Sequence, residues 1–316
     1  MSEKVEILQT MPMPPRVAES LGDRYVIHRQ WEAEDQAALL SEVGPNVRGV
    51  ITMGHGVVDR AMIDAMPNLE VITVMGVGYD GVDVKHAAAK GAPVTNTPDV
   101  LTEEVANLGV GLVMAVTREV PKADAYVRDG RWLKEGDIPL NRTIVGRPVG
   151  VVGLGRIGLA TADRLAALGA KVSWYGPRPK PEAPYPFDPD LEHLAGQVDG
   201  LVVCCPGGPA TRHLVNRKVI AALGKEGWIV NVARGSVIDE QALVEALMTK
   251  RLWGAGLDVF DAEPKVPTEL FGLDNVVLQP HQGSGTVATR NAMADLMVEN
   301  LDLHFAGKPL KTPVSA

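Results

Sequence analysis

The chain has 316 residues, 46% hydrophobic and 22% charged, with a net charge of −8. That suits two globular domains of roughly 100–200 residues each, and the acidic balance excludes the broad cationic face a nucleic-acid partner needs. The apolar run "LGVGLVMAV" at 108–116 is too short for a bilayer, which takes about 20 residues, and "MSEKVEILQT" lacks the apolar core of a signal peptide.

Apolar strand-like runs alternate with helical patterns, which predicts an α/β architecture with parallel sheets. In the first third the strands are "VEILQ", "YVIHR", "VRGVITM", "LEVITVMG" and "APVTNT", with helices such as "VVDRAMIDAM" and "VDVKHAAAKG" between them. Five βα units make one small doubly wound domain. "DVLTEEVANLGVGLVMAVTREV" then predicts one long helix with Thr102 as N-cap and acids in its first turn. The polar stretch "YVRDGRWLKEGDIPLNRTIVGRP" isolates Trp132, which either marks a protein–protein contact or caps its own domain.

A second series follows: "VGVVGLG", "KVSWYG", "GLVVCC", "WIVNVA", "AGLDVF" and "NVVLQP". Six strands are the count of a dinucleotide-binding sheet. The Pro-rich "PRPKPEAPYPFDPD" is expected to be a loop. "TVATRNAMADLMVENLDLHFAG" predicts an amphipathic helix returning to the first domain, which then comprises 1–98 and 286–316 around a cofactor domain at 99–285. Cys204 and Cys205 are neighbours in a strand and point to opposite faces, so no bridge is expected. No metal-ligand spacing is present, and a reducing cytoplasm fits.

Gly153, Gly155 and Gly158 form G-x-G-x-x-G between a strand and a helix that leads to a second strand. In that context the pattern predicts a dinucleotide site. Gly153 permits the turn, Gly155 lets a pyrophosphate approach, and Gly158 lets helix and strand pack closely; the helix N-terminus offers N–H groups to phosphate. An NAD site usually carries an acid after the second strand. Here Gly176 stands there, followed by Pro177, Arg178, Pro179 and Lys180. Two cations and no carboxylate suit a 2′-phosphate, so NADPH is the expected cofactor; the plain alternative is solvated loop charge. One charge-assisted hydrogen bond from Arg178 favours NADP by about 10- to 100-fold.

Arg234 follows the fourth strand of this series, Asp258 lies in the fifth with Glu263 just after it, and His281 ends the sixth. Ligands of such sheets bind at the carboxyl ends of the strands. Reducing a ketone by hydride leaves an alkoxide; His281 can protonate it, Glu263 can hold the second imidazole nitrogen and favour its charged form, and Arg234 can grip a carboxylate or polarise the ketone. Each has an ordinary structural reading alone; three at consecutive strand ends beside a cofactor loop point to catalysis.

"GLGRIG", "VNVARGSVIDEQAL", "GAGLDVFDAEP" and "PHQGSGT", with "VGYDGVD" and "NTPDVLTEEVA", resemble the D-2-hydroxyacid dehydrogenase family over essentially the whole chain. Within it, "LFGLDNVVLQPHQGSGT" is most similar to NADPH-preferring glyoxylate/hydroxypyruvate reductases, including hydroxyphenylpyruvate reductases. The resemblance implies a Rossmann cofactor domain inserted in a flavodoxin-like substrate domain. It also implies reduction of a small 2-oxo acid to a D-2-hydroxy acid, with Arg234 binding substrate, Glu263 orienting the histidine and His281 donating the proton. By the same resemblance Val77 and Gly78 hold the substrate carboxylate, in a turn suited to an anion nest. Leu154, Arg156 and Ile157 lie along the pyrophosphate, Val232 and Ala233 line the nicotinamide side, and Asp258 meets the carboxamide. Family members are homodimers through the cofactor domain, which tips the Trp132 arm toward an interface. Where the family often reads Pro-Leu-Thr, this chain has Cys205-Pro206-Gly207-Gly208, a cofactor wall that two glycines loosen or widen. His55, in "MGHGVVD", receives no role. The rival readings are an NAD-dependent phosphoglycerate dehydrogenase-like enzyme and a nucleotide-sensing corepressor-like protein.

Overall fold

The computed structural model describes residues 4–315. It divides into two compact units, one running up to Leu101 and resuming at Thr286, the other Thr102–Gly285.

The first unit begins β1 (Val5–Gln9), α1 (Pro15–Leu21), β2 (Tyr25–Arg29), α2 (Gln36–Val43) and β3 (Val47–Met53). It continues α3 (Arg60–Asp64), β4 (Val71–Met75), α4 (Val84–Ala89) and β5 (Val94–Thr95). All strands are parallel, in the order β2-β1-β3-β4-β5. Strands buried on both faces must be apolar nearly throughout; β4 is Val-Ile-Thr-Val-Met, buried at every position. Asp35, Asp59 and Asp83 cap α2, α3 and α4 by accepting from backbone N–H groups of the first turn. The C-terminal helix Val287–Phe305 belongs to this unit. Its Asp295 takes Arg16 and Ser20 of α1, and its Asp302 takes Tyr25 of β2.

The second unit opens with α5 (Thr102–Thr117), α6 (Val120–Arg128) and α7 (Arg131–Glu135). The long predicted helix therefore ends at Thr117, and Glu119 turns the chain with φ 47° before α6. The arm that reads only as polar holds α7, with Trp132 on it. Then come β6 (Pro148–Val152), α8 (Arg156–Ala167), β7 (Lys171–Tyr175), β8 (Phe187–Asp188) and α9 (Leu191–Gln197). β9 (Gly200–Val203), α10 (Arg217–Leu223), β10 (Trp228–Asn231), α11 (Glu240–Met248), β11 (Gly254–Leu257) and β12 (Val276–Leu278) complete it.

The sheet is parallel and seven-stranded, β12-β11-β10-β9-β6-β7-β8, one strand more than expected. The addition is β8, inside the Pro-rich stretch expected to be a loop. Two residues suffice because Phe187 pairs with Trp174 in register and their rings pack at 4.8 Å. Leu201, Ile229, Leu243 and Leu257 lie in the core of this unit. The strand order reverses between β6 and β9, where such sheets bind ligands.

Candidate active site

β6 ends at the glycine loop. Gly153 has φ 94°, and a Cβ there would lie 2.7 Å from the Cys205 Cα. A Cβ on Gly158 would lie 2.0 Å from the Gly153 carbonyl oxygen, so α8 can approach β6 only with glycine there. Gly155 differs: its Cβ would meet no protein atom within 4 Å, so packing within the chain gives no reason for glycine at that point. Gly155 is also the N-cap of α8 and contributes no side chain to it, whereas Asp190, Asn216 and Asp239 cap α9, α10 and α11. Arg156 and Ile157 begin α8. Leu154 is buried, and its carbonyl accepts a 2.6 Å bond from Lys180 Nζ. A cradle that a Cβ would fill, at a helix start without a side-chain cap, fits a pyrophosphate.

After β7, Gly176 is buried and Arg178 is exposed. Lys180, expected beside Arg178 as a second cation for phosphate, is instead folded back onto the glycine loop through Leu154. After β9, Cys205 is buried and Pro206 exposed. Gly208 has φ 123°, which favours glycine. Thr211 Oγ1 donates to the Pro206 carbonyl across the two glycines. Burial pushes the Cys204 thiol up to about 12 and that of Cys205 to about 11.

The other end of the site lies beyond β10, β11 and β12, which are neighbours in the sheet. β10 finishes on buried Asn231, whose side chain accepts from Ala233 N (3.0 Å) and donates to the Arg234 carbonyl (2.9 Å). That bracket sets the path of Val232, Ala233 and Arg234. Arg234 Nη1 donates to the Ala233 carbonyl (2.7 Å). The next residue must be glycine: a Cβ on Gly235 would lie 1.9 Å from the Phe260 carbonyl carbon. The Arg234 segment therefore rests against the backbone that leads to Glu263.

Asp258 stands one residue past β11 rather than within it. It is buried, and its two oxygens accept from Gln282 N (2.6 Å) and Gly283 N (2.8 Å), while its carbonyl accepts from His281 N (2.8 Å). Burial pushes its carboxyl above the ordinary value, against the two N–H donors that lower it. The three bonds hold His281, three residues past β12, at φ 54°. Such a backbone costs a non-glycine residue about 1–3 kcal/mol and persists where its surroundings impose it. His281 Nδ1 lies 2.7 Å from Glu263 Oε2, and Glu263 Oε1 accepts from Phe260 N (3.0 Å). Glu263 is thus fixed at both oxygens. Glu240, at the start of α11, accepts from Asp261 N and steadies the same loop; burial raises its pKa.

The structure therefore joins Glu263 to His281 directly and seats Arg234 on the neighbouring loop. Val77 and Gly78 belong to the other unit, just beyond β4. There Asn96 Nδ2 donates to the Val77 carbonyl, and Thr97 bonds both the N–H and the carbonyl of Gly76. His55 is exposed beyond β3. Sequence reading missed Asn231, the Gly235–Phe260 approach and the Asp258 clamp. Of these only Asn231 left a signal, a polar residue closing an apolar run.

Fold and strand ends together define a dinucleotide-dependent oxidoreductase. Residues 110–283 match the family described as D-isomer specific 2-hydroxyacid dehydrogenase, NAD binding domain. The chain is 46% identical over 312 residues to a hydroxyphenylpyruvate reductase of Plectranthus scutellarioides, covering 99% of each chain. It is equally 46% identical, with the same coverage, to glyoxylate/hydroxypyruvate reductase A HPR2 of Arabidopsis thaliana. Among solved structures it resembles an NADPH-dependent glyoxylate/hydroxypyruvate reductase from Sinorhizobium meliloti in complex with NADP and malonate. That match has a TM-score of 0.93 and 44% identity, covering 99% of this chain and 97% of that one. The chain belongs to the D-2-hydroxyacid dehydrogenase family. Neither the phosphoglycerate dehydrogenase-like nor the corepressor-like reading is favoured by these relatives.

Proposed function

We propose that the protein reduces small 2-oxo acids, such as glyoxylate, hydroxypyruvate or a phenylpyruvate, to D-2-hydroxy acids with NADPH. The observation that carries this is the 2.7 Å contact between Glu263 and His281, held on a family scaffold beside Arg234. Bound NADPH supplies the hydride. A carboxylate can only accept, so Glu263 keeps a proton on His281 Nδ1 and directs the exchangeable proton to Nε2. From Nε2 the proton passes to the alkoxide oxygen as it forms. Arg234 binds the 2-oxo acid through its planar fork. Gly153 to Gly158 and the start of α8 hold the pyrophosphate, Arg178 the 2′-phosphate. Pro206, Val232 and Ala233 form the walls of the dinucleotide site, and Asp258 faces the carboxamide. Val77 and Gly78 keep the carboxylate-holding role that the resemblance implies.

The test is NADPH oxidation with that panel of 2-oxo acids, run again with NADH. Turnover with at least one acid and preference for NADPH is the expected result; no turnover, or preference for NADH, contradicts the reading.

We also propose a homodimer through the cofactor unit, working in the cytoplasm. Trp132 is 59% exposed, Leu133 93% and Leu140 101%, three large apolar side chains left to solvent on one stretch of the arm, which supports an interface there. No helix among the described residues is long and apolar enough to cross a membrane. The cytoplasm is supported by the two free thiols. Light scattering should give a dimer mass that Leu133→Asp lowers; a wild-type monomer contradicts the proposal.

A further inference from the structure

The missing acid at the end of β7 has a cause inside the fold. A Cβ on Gly176 would lie 2.8 Å from Trp174 Cζ3, where carbon contacts settle at about 3.5–4.0 Å. Neither side can yield easily. Trp174 is 1% exposed, its Nε1 donates to the Tyr185 carbonyl (3.1 Å), and its ring packs on Phe187. Its backbone N–H bonds the Pro186 carbonyl. On the other side, the Tyr175 carbonyl accepts from Gly153 N (2.8 Å), so moving position 176 disturbs the glycine loop.

We propose that Trp174 is a positioning residue for cofactor choice: its ring occupies the space that any side chain at 176 needs, and so excludes a ribose-binding carboxylate there. The same ring fastens the far end of the loop that carries Arg178. Tyr185, whose carbonyl it holds, bonds Asp163 of α8 through its hydroxyl (2.7 Å). Lys180 pins the middle of that loop to Leu154. Selectivity is thus set from beneath the loop by an indole that does not itself need to touch the dinucleotide. This rests on the NADPH reading above, and the test separates the two.

Two readouts are compared across Gly176→Ala and Gly176→Asp, each in the wild-type and Trp174→Phe backgrounds. Phenylalanine keeps an aromatic ring but lacks the outer edge of the indole. Trp174→Leu serves as a second background, should Trp174→Phe not fold. The first readout is Tm without cofactor. Gly176→Ala should lower it by about 3 °C or more in the wild-type background and by clearly less in the Trp174→Phe or Trp174→Leu background. Equal losses in the wild-type and substituted backgrounds overturn the steric claim. The second is the ratio of NAD to NADP dissociation constants. Gly176→Asp alone should not move it toward NAD, whereas with Trp174→Phe it should move by about tenfold or more. A stable Gly176→Asp protein that switches to NAD with Trp174 in place overturns the proposal. Wild-type preference for NAD would sink the NADPH reading instead, while the Tm comparison still judges the packing.

Discussion

The two ends of the candidate site are built on opposite principles. At the His281 end, named groups are fixed by one another: Glu263 by the Phe260 N–H and the imidazole, His281 by its own N–H to the Asp258 carbonyl and by the bonds from Gln282 and Gly283 to the Asp258 carboxylate. At the glycine-loop end the decisive residues are those without side chains, Gly153, Gly155, Gly158 and Gly176. The first end depends on functional groups; the second depends chiefly on volume, with the proposed charge contact of Arg178 added. Substitutions should therefore fail differently: at one end chemistry is lost with binding intact, at the other binding changes with chemistry intact.

The largest effect is expected from His281→Ala. Turnover of a 2-oxo acid should fall by about 10²–10⁴-fold while NADPH affinity, measured by calorimetry, stays near wild type. A matching loss of NADPH affinity would erase the contrast between the ends. Arg178→Ala should reduce the NADPH-over-NADH preference in kcat/KM by about 10- to 100-fold and leave turnover at saturation nearly unchanged. Gly155→Ala sharpens the comparison further. Its added methyl meets no protein atom, so Tm should hold, but NADPH should bind at least about tenfold more weakly, roughly 1.4 kcal/mol. A drop in Tm without loss of affinity would show that Gly155 serves packing.

The smallest effect concerns the thiols. Burial raises both above the ordinary thiol value of 9.0, so the folded protein keeps them protonated at a pH where an unfolded chain ionises. Their contribution is complete below about pH 9 and declines as pH rises toward 11–12. At pH 8, iodoacetamide should label the native protein slowly and the unfolded chain fully; rapid native labelling would contradict the burial.

Much of this is legible in the sequence, for a physical reason. Parallel strands covered on both faces read as apolar runs, so β3 and β4 fall within the quoted stretches. β8 is hidden because two residues carry no periodicity; a register with β7 and a ring contact with Trp174 create it. The end of α5 is displaced by three residues because Pro121 signals a break after Val120, whereas Glu119 already turns the chain with a positive φ that its residue type does not announce. That Arg234, Glu263 and His281 follow successive strands can be read from the sequence, although each stands on the loop three or more residues past its strand. Their supports cannot, since the approach of Gly235 to Phe260 and the grip of Asp258 on 281–283 depend on which loops abut. In the sequence Gly176 shows only as a missing acid; the fold reveals the indole against it.

The central claim is that Glu263 and His281 act as one proton-delivering unit, and a double-substitution cycle tests it most directly. Turnover of a 2-oxo acid would be compared for Glu263→Gln, His281→Ala and both together. Glu263 acts through the imidazole, so the pair should lose no more activity than His281→Ala alone. Losses that multiply would mean that the carboxylate and the imidazole work independently.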